Sequence, residues 1–262
     1  FYSCRLADDE TGDYFRRDLG AAGVVTNANC CTPEVPGNSG RCVVLVTPDA
    51  ERSLNTCLGI STRLSTTEID EEQLANSRYF YVEGYLSTSP EAMDAAIACR
   101  ELAEKNGVKT AVSLSDPSMV EMFSDGLARI LGNGVDHLFC NEEEALTWAR
   151  TDRLDVAVKE LKDIGRNLNI TLGKEGSLAV TPHDQTKVPG FKVNAVDTNG
   201  AGDMYAGACL YAWCEGMSAD RAAAFGNFAS ARLVQTYGAR LRHVQDYGET
   251  LAAFKEAREA SL

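Results

Sequence analysis

The chain has 262 residues, 44% hydrophobic and 24% charged, a balance that supports a buried α/β core and excludes a disordered chain. Its net charge of −13 argues against nucleic acid or an anionic membrane as a partner, although a locally positive site or a bound cation can still accept an anionic substrate. No apolar run approaches the ~20 residues that span a bilayer. The nine cysteines have no CxxC spacing and the three histidines no H-x-x-x-H spacing, which disfavours a disulfide framework and a zinc site and points to reduced thiols in a cytoplasmic protein.

In chain order, the opening FYSCRLADDE lacks an initiator methionine and the basic head and apolar stretch of a signal peptide. It reads as a strand running into a loop, as though the first strands of the domain were missing. Residues 24–60 have no helical period and carry turn signals at Pro36-Gly37-Asn38 and Pro48-Asp49 around a strong strand from Arg41 to Thr47. This stretch is expected to form a few antiparallel strands, used as a lid or as a dimer contact. From Tyr79 onward, strand-like and helix-like runs alternate. YFYV (79–82) is followed by Ser89-Pro90 as N-cap and first helical residue, and then by Ala95, Ala98, Cys99 and Leu102 at helical spacing up to Asn106-Gly107. KTAVSL (109–114), a helix from about Met119, VDHLFC (135–140), helices near Glu142 and Val156, and NITL (169–172) continue the pattern. The alternation predicts an α/β fold of parallel strands with crossover helices, organised as one domain over residues 1–262.

The sharpest feature is Val196-Asp197-Thr198-Asn199-Gly200-Ala201-Gly202-Asp203, between a strand-like run (Phe191 to Val196) and a small-residue helix (Met204 to Cys214). Glycines at a strand-to-helix turn let backbone N–H groups converge on one point, and the helix dipole adds to this to make an anion hole. Asp203 in the first helical turn would repel that anion unless the anion is a phosphoryl group in transfer and the carboxylate accepts the proton of the attacking alcohol. The bland alternative is a tight turn with a favourable first-turn aspartate. A dinucleotide fingerprint over Gly200, Gly202 and Gly207 is disfavoured, because it would open the first βαβ unit and not lie near the end of the chain.

DTNGAGD followed by Met204-Tyr205-Ala206-Gly207 resembles the signature of the ribokinase-like carbohydrate kinase family. Asn141-Glu142-Glu143-Glu144 matches that family's N-x-x-E motif, Thr171-Leu172-Gly173-Lys174-Glu175-Gly176 resembles its T-x-G-x-x-G, and ADDETGDYFRRDLGAAGV resembles the helix leading into the lid. The resemblance implies a three-layer α/β/α fold with a mostly parallel sheet and a small antiparallel β lid. It implies ATP and Mg²⁺ as cofactors, a monovalent cation such as K⁺ as a further one, a nucleoside or sugar as substrate, and a monomer or homodimer. Asn199, Tyr85 to Pro90, Ser113 to Ser115 and Asp49 to Leu54 are similar to the adenosine kinase branch, whereas Asp116-Pro117 also resembles sugar kinases.

The roles implied are Asp203 as base and the N–H groups of Gly200, Ala201, Gly202 and Asp203 as anion hole. Asn141 and Glu144 would organise Mg²⁺ through water; their local alternative is an N-cap with an acidic first turn. Arg52 would clamp phosphate from the lid, against a solvated surface ion pair. Thr171, Gly173 and Gly176 would lie along the nucleotide, against a plain β-turn. Asp197 and Thr198 would close the strand end near the ligand, and Asn227 would face the base or solvent. The family's N-terminal substrate signature, an acidic strand residue and a Gly-Gly-x-x-x-N run, is absent from this sequence.

Overall fold

The computed structural model describes residues 1–27, 30, 36–48 and 52–259. Contacts divide the chain into two compact units, residues 1–44 with 54–136 and residues 45–53 with 137–262. Strands β1 (Arg41–Val46) and β2 (Arg52–Cys57) pair as a two-stranded sheet within the stretch read as a lid, and Val43 and Leu45 on it remain exposed. Among the described residues, no helix is long and apolar enough to cross a membrane.

In the first unit, helix α1 (Glu10–Ala21) begins at Asp9, whose carboxylate accepts hydrogen bonds from Gly12 N at 2.8 Å, Ser39 N at 2.9 Å and Ser39 Oγ at 2.7 Å. The cap therefore also fixes the chain thirty residues later. Helix α2 (Glu71–Ala75) precedes β3 (Tyr79–Glu83), helix α3 (Pro90–Lys105) and β4 (Lys109–Ser113); β3 and β4 run parallel in register from Tyr79↔Lys109 to Glu83↔Ser113. Ser89 precedes α3 as expected but does not cap it: its hydroxyl donates to the carbonyl of Thr62. The buried face of α3 holds Ala92, Ala95, Ala96, Cys99 and Ala103, while Ala98, placed on that face by spacing alone, is exposed. Arg100 accounts for the rotation. It is buried, reaches Glu104 Oε1 at 2.7 Å, and lies over Gly132, where a Cβ would meet the guanidinium carbon at 2.6 Å. Helix α4 (Pro117–Leu131) has Asp116 as N-cap and ends at Gly132 with φ of 59°, a left-handed stop that glycine takes without strain.

Strand β5 (Val135–Asn141) opens in the first unit and continues in the second, followed by α5 (Glu142–Ala149), α6 (Leu154–Leu161), β6 (Gly165–Thr171), β7 (Gly176–Val180), β8 (Gln185–Pro189), α7 (Ala201–Cys214), α8 (Ala219–Leu233) and α9 (Val244–Glu259). β5 to β8 are neighbours in that order, but β6, β7 and β8 pair antiparallel. Residues 172–175 between β6 and β7 are too few for a parallel crossover, which needs about a dozen, so this end of the mostly parallel sheet is antiparallel. Every residue of β7 is buried.

The run Phe191–Val196 is not a strand. Phe191 and Val193 are exposed, and the backbone is held through the N–H groups of Val196 (2.8 Å) and Asp197 (3.3 Å), both donating to Val234 O. Its partner is thus the end of a helix, so period-two hydrophobicity found no ladder to join. Helices α7 and α8 pack closely because Gly226 presents no side chain: a Cβ there would lie 2.6 Å from Tyr205 Cδ2 and 3.0 Å from Cys209 Sγ. Phe254 of α9 packs against Phe225 at 5.1 Å and Phe228 at 5.7 Å, seating the last helix on α8.

Candidate active site

Asn141, Glu144, Thr171, Gly173, Gly176, Asp197, Thr198, Gly200 to Asp203 and Asn227 all belong to the second unit. α7 begins at Ala201, three residues before the sequence reading, so the glycine bend is the helix N-terminus itself with Gly200 as N-cap. Gly200 has φ of +74°, and a Cβ on it would lie 2.2 Å from Ala239 O, so only glycine fits there. On the other side the bend is open. Gly202 and Asp203 are exposed, and a Cβ on Gly202 would meet nothing within 4 Å. Ala201 N donates to Thr198 O at 3.2 Å and Met204 N to Gly200 O at 2.9 Å. The first helical turn is thereby closed on itself, and its dipole faces outward beside the carboxylate of Asp203.

Two residues past Asp203, Tyr205 turns inward and meets Phe139 of β5 edge to face at 6.4 Å between centroids, while Trp213 stacks on His137 at 3.9 Å. α7 is thus docked on β5, and the strand's last residue, Asn141, sits two positions beyond Phe139. Burial pushes the Tyr205 hydroxyl and the Cys140 and Cys209 thiols well above their ordinary values, so these groups stay neutral and none can serve as a base at neutral pH. Asp203 is the carboxylate in the helix's first turn, and the residue is exposed.

Asn141 and Glu144 form a reciprocal capping box at the start of α5. Glu144 N donates to Asn141 Oδ1 at 2.8 Å, Asn141 N to Glu144 Oε2 at 3.0 Å, and Asn141 Nδ2 to Glu144 Oε1 at 2.7 Å. Glu144 is buried, so its carboxylate is held rigidly by the motif that was read for the metal. Among the described residues no group of three or more His, Cys, Asp or Glu is placed to hold a metal ion. A single fixed carboxylate is a scant ligand set, of the kind that suits Mg²⁺, which keeps most of its waters and takes other ligands from nucleotide phosphates.

Thr171 ends β6 and pairs with Ser177, and Leu172 N donates to Gly176 O at 2.8 Å. Gly173 (φ +56°) is open to its surroundings, whereas Gly176 (φ +99°) is pressed on Val188 O, 2.1 Å from where a Cβ would be. The two glycines of the motif therefore differ: one is required by packing and the other leaves room above the turn. Asn227 does not face solvent; it is buried, and its Nδ2 donates to Val188 O at 3.1 Å and Pro189 O at 3.2 Å, tying α8 to β8. Arg52 is the first residue of β2; its side chain lies outside what the structure describes, as do Asp49, Ala50 and Glu51.

Sequence reading missed Ser230, Val234, Gly238 and Ala239. Ser230 Oγ donates to Ala201 O at 2.9 Å, Gly238 N donates to Asp197 Oδ2 at 2.8 Å, and Ala239 backs Gly200. They lie some thirty to forty residues along the chain from the bend, and no local pattern marks them.

The sequence profile of the pfkB family carbohydrate kinases matches residues 1–245. The chain belongs to this family. Adenosine kinase 1 of Arabidopsis thaliana is 26% identical over 266 residues, covering 94% of this chain and 75% of the relative. The ATP-dependent ribose-1-phosphate kinase of Halopiger xanaduensis is 27% identical over 253 residues, covering 97% of this chain and 79% of the relative. Among solved structures, the adenosine kinase of Sinorhizobium meliloti superposes with a TM-score of 0.89 at 31% identity, covering 96% of this chain and 77% of that one. The pfkB fold expected from the sequence, an α/β architecture with a mostly parallel central sheet and a small antiparallel one, is the fold of this chain.

Proposed function

We propose that this pfkB-family chain transfers the γ-phosphoryl group of ATP to the 5′-hydroxymethyl group of a ribonucleoside, with adenosine as acceptor. The observation that carries the proposal is the exposed carboxylate of Asp203 in the first turn of α7, beside a glycine bend whose outer side is open. Peptide N–H groups of the 200–203 bend bind the moving phosphoryl group, Ala201 N turning to it from its bond to Thr198 O, and Asp203 takes the acceptor's proton as its oxygen attacks phosphorus and the bond to the β-phosphate oxygen breaks. Glu144, with Asn141, orients Mg²⁺ through water; when bound, the metal neutralises phosphate charge. Thr171 and Gly173 line the nucleotide at the β6–β7 turn, with Gly176 fixing the turn. Arg52 reaches the phosphates from the small sheet, and closure of that sheet excludes water. A monovalent cation is a further cofactor on this reading.

Support for adenosine comes from the Arabidopsis and Sinorhizobium adenosine kinases; the Halopiger ribose-1-phosphate kinase favours a second reading, a sugar kinase acting on ribose, fructose or a keto-deoxy acid. ADP release measured with adenosine, inosine, ribose and fructose distinguishes the two. Turnover with adenosine above the sugars is the expected result, the reverse order selects the sugar kinase, and no turnover with any acceptor selects a non-catalytic ligand-binding relative.

A further inference from the structure

The backbone of the glycine bend is held from behind by one side chain. Asp197 is 3% exposed, and its carboxylate accepts two peptide N–H groups on opposite sides. Oδ1 takes Asn199 N at 2.9 Å, within the bend, and Oδ2 takes Gly238 N at 2.8 Å, in the turn that follows α8. That turn continues along the bend: Val234 O accepts the N–H groups of Val196 and Asp197, and Ala239 O abuts Gly200. Gly238 itself is exposed and has φ of +103°, a left-handed conformation that L side chains rarely adopt.

A buried carboxylate with one amide on each oxygen is a directional clamp, because each charge-assisted bond fixes the orientation of a peptide plane. The plane of Asn199 leads directly into Gly200, so its tilt sets where the following N–H groups point. We infer that Asp197 is a positioning residue for the transfer reaction. It couples the 234–239 turn to the bend, so that the N–H groups of 200–203 converge only while Gly238 is seated. With both carboxylate oxygens taken up by peptide N–H groups, Asp197 acts through the backbone. The inference rests on the transfer reading proposed above, but the geometry of the bend can be tested without turnover.

Three variants of the full chain test it: Asp197→Asn, which keeps size and one acceptor oxygen; Gly238→Ala, which has room for a methyl but strains φ; and the double variant. In hydrogen exchange, the hydrogen-bonded amides of this stretch, Asn199 and Ala201, are expected to exchange about tenfold faster in each single variant, the loss of one charge-assisted bond. The kcat is expected to fall about 100-fold, as when one donor of an oxyanion site is lost, with the KM for the nucleoside unchanged. The double variant is expected to be no slower than the slower single variant, since both break one connection. Unchanged exchange at Asn199 and Ala201 overturns the inference. So does a rate per folded molecule equal to that of the parent, with only Tm lowered, which would make Asp197 a purely structural brace. If the parent chain phosphorylates no acceptor, the transfer reading fails, and the exchange data alone decide whether Asp197 sets the bend.

Discussion

Phe139 and Tyr205 meet edge to face at 6.4 Å, which brings the end of one strand and the start of one helix to the same place. Asn141 lies two residues after the first ring, and Asp203 two residues before the second. The two motifs are 62 residues apart in sequence, and this aromatic contact packs the helix that carries the glycine bend on the strand that ends at the capping box. Each ring is nearly inaccessible, so the contact also excludes water from beneath the site.

Asp203→Asn removes the proton acceptor and leaves the peptide N–H groups in place. The expected result is a loss of about 1,000-fold or more in kcat, within the range ascribed to a positioned general base, with ATP affinity retained. Steady-state rates together with calorimetric ATP binding check this; a variant with parental kcat would remove Asp203 from the role.

Glu144→Gln replaces a carboxylate that accepts from Asn141 N and Nδ2 by an amide able to accept at only one atom. The Mg²⁺ concentration for half-maximal rate is expected to rise several-fold while the KM for the acceptor stays constant, with a stability loss of about 1–2 kcal/mol from the weakened cap. A Mg²⁺ titration beside a thermal melt separates the two effects. A melt that shifts alone, with an unchanged titration, reduces Glu144 to a helix cap.

Gly226→Ala puts a methyl group 2.6 Å from the Tyr205 ring, which is fixed between Phe139 and α8. Overpacking of this kind costs about 1–3 kcal/mol. A lower denaturant midpoint with unchanged slope is expected, together with reduced activity, because the displaced ring carries Asp203 two residues away.

Asp9 is held below the ordinary carboxylate range by hydrogen bonds, first from Gly12 N and then from Ser39. A carboxyl depressed on folding stabilises the folded chain above its unfolded pKa, and that contribution is lost as pH falls through the folded value. The gap in Tm between the parent chain and Asp9→Asn is therefore expected to be constant near neutrality and to close on acidification below about pH 4. A gap independent of pH down to pH 2 would remove the carboxylate's charge from the cap.

Much of the chain was legible from local chemistry. Pro90 opens its helix and Asn141 caps the next with Glu144, because these effects act within a single turn. The chemistry of the bend was legible for the same reason, since glycine freedom and a first-turn carboxylate are properties of consecutive residues. Where a distant group decided the outcome, the reading failed. Ser89 gave its hydroxyl to Thr62 instead of its own helix, Ala98 was turned outward by the packing of Arg100 on Gly132, and Phe191–Val196 found a helix end in place of a ladder. Asn227 is buried against β8, which a helical period cannot reveal. The sequence by itself determined a glycine bend at the start of a helix with a carboxylate in its first turn. Only the tertiary structure decided what holds them there, the Asp197–Gly238 hydrogen bond and the Ala239 carbonyl behind Gly200, because the entropy lost in bringing residues some forty positions together is offset by burial that no local stretch contains.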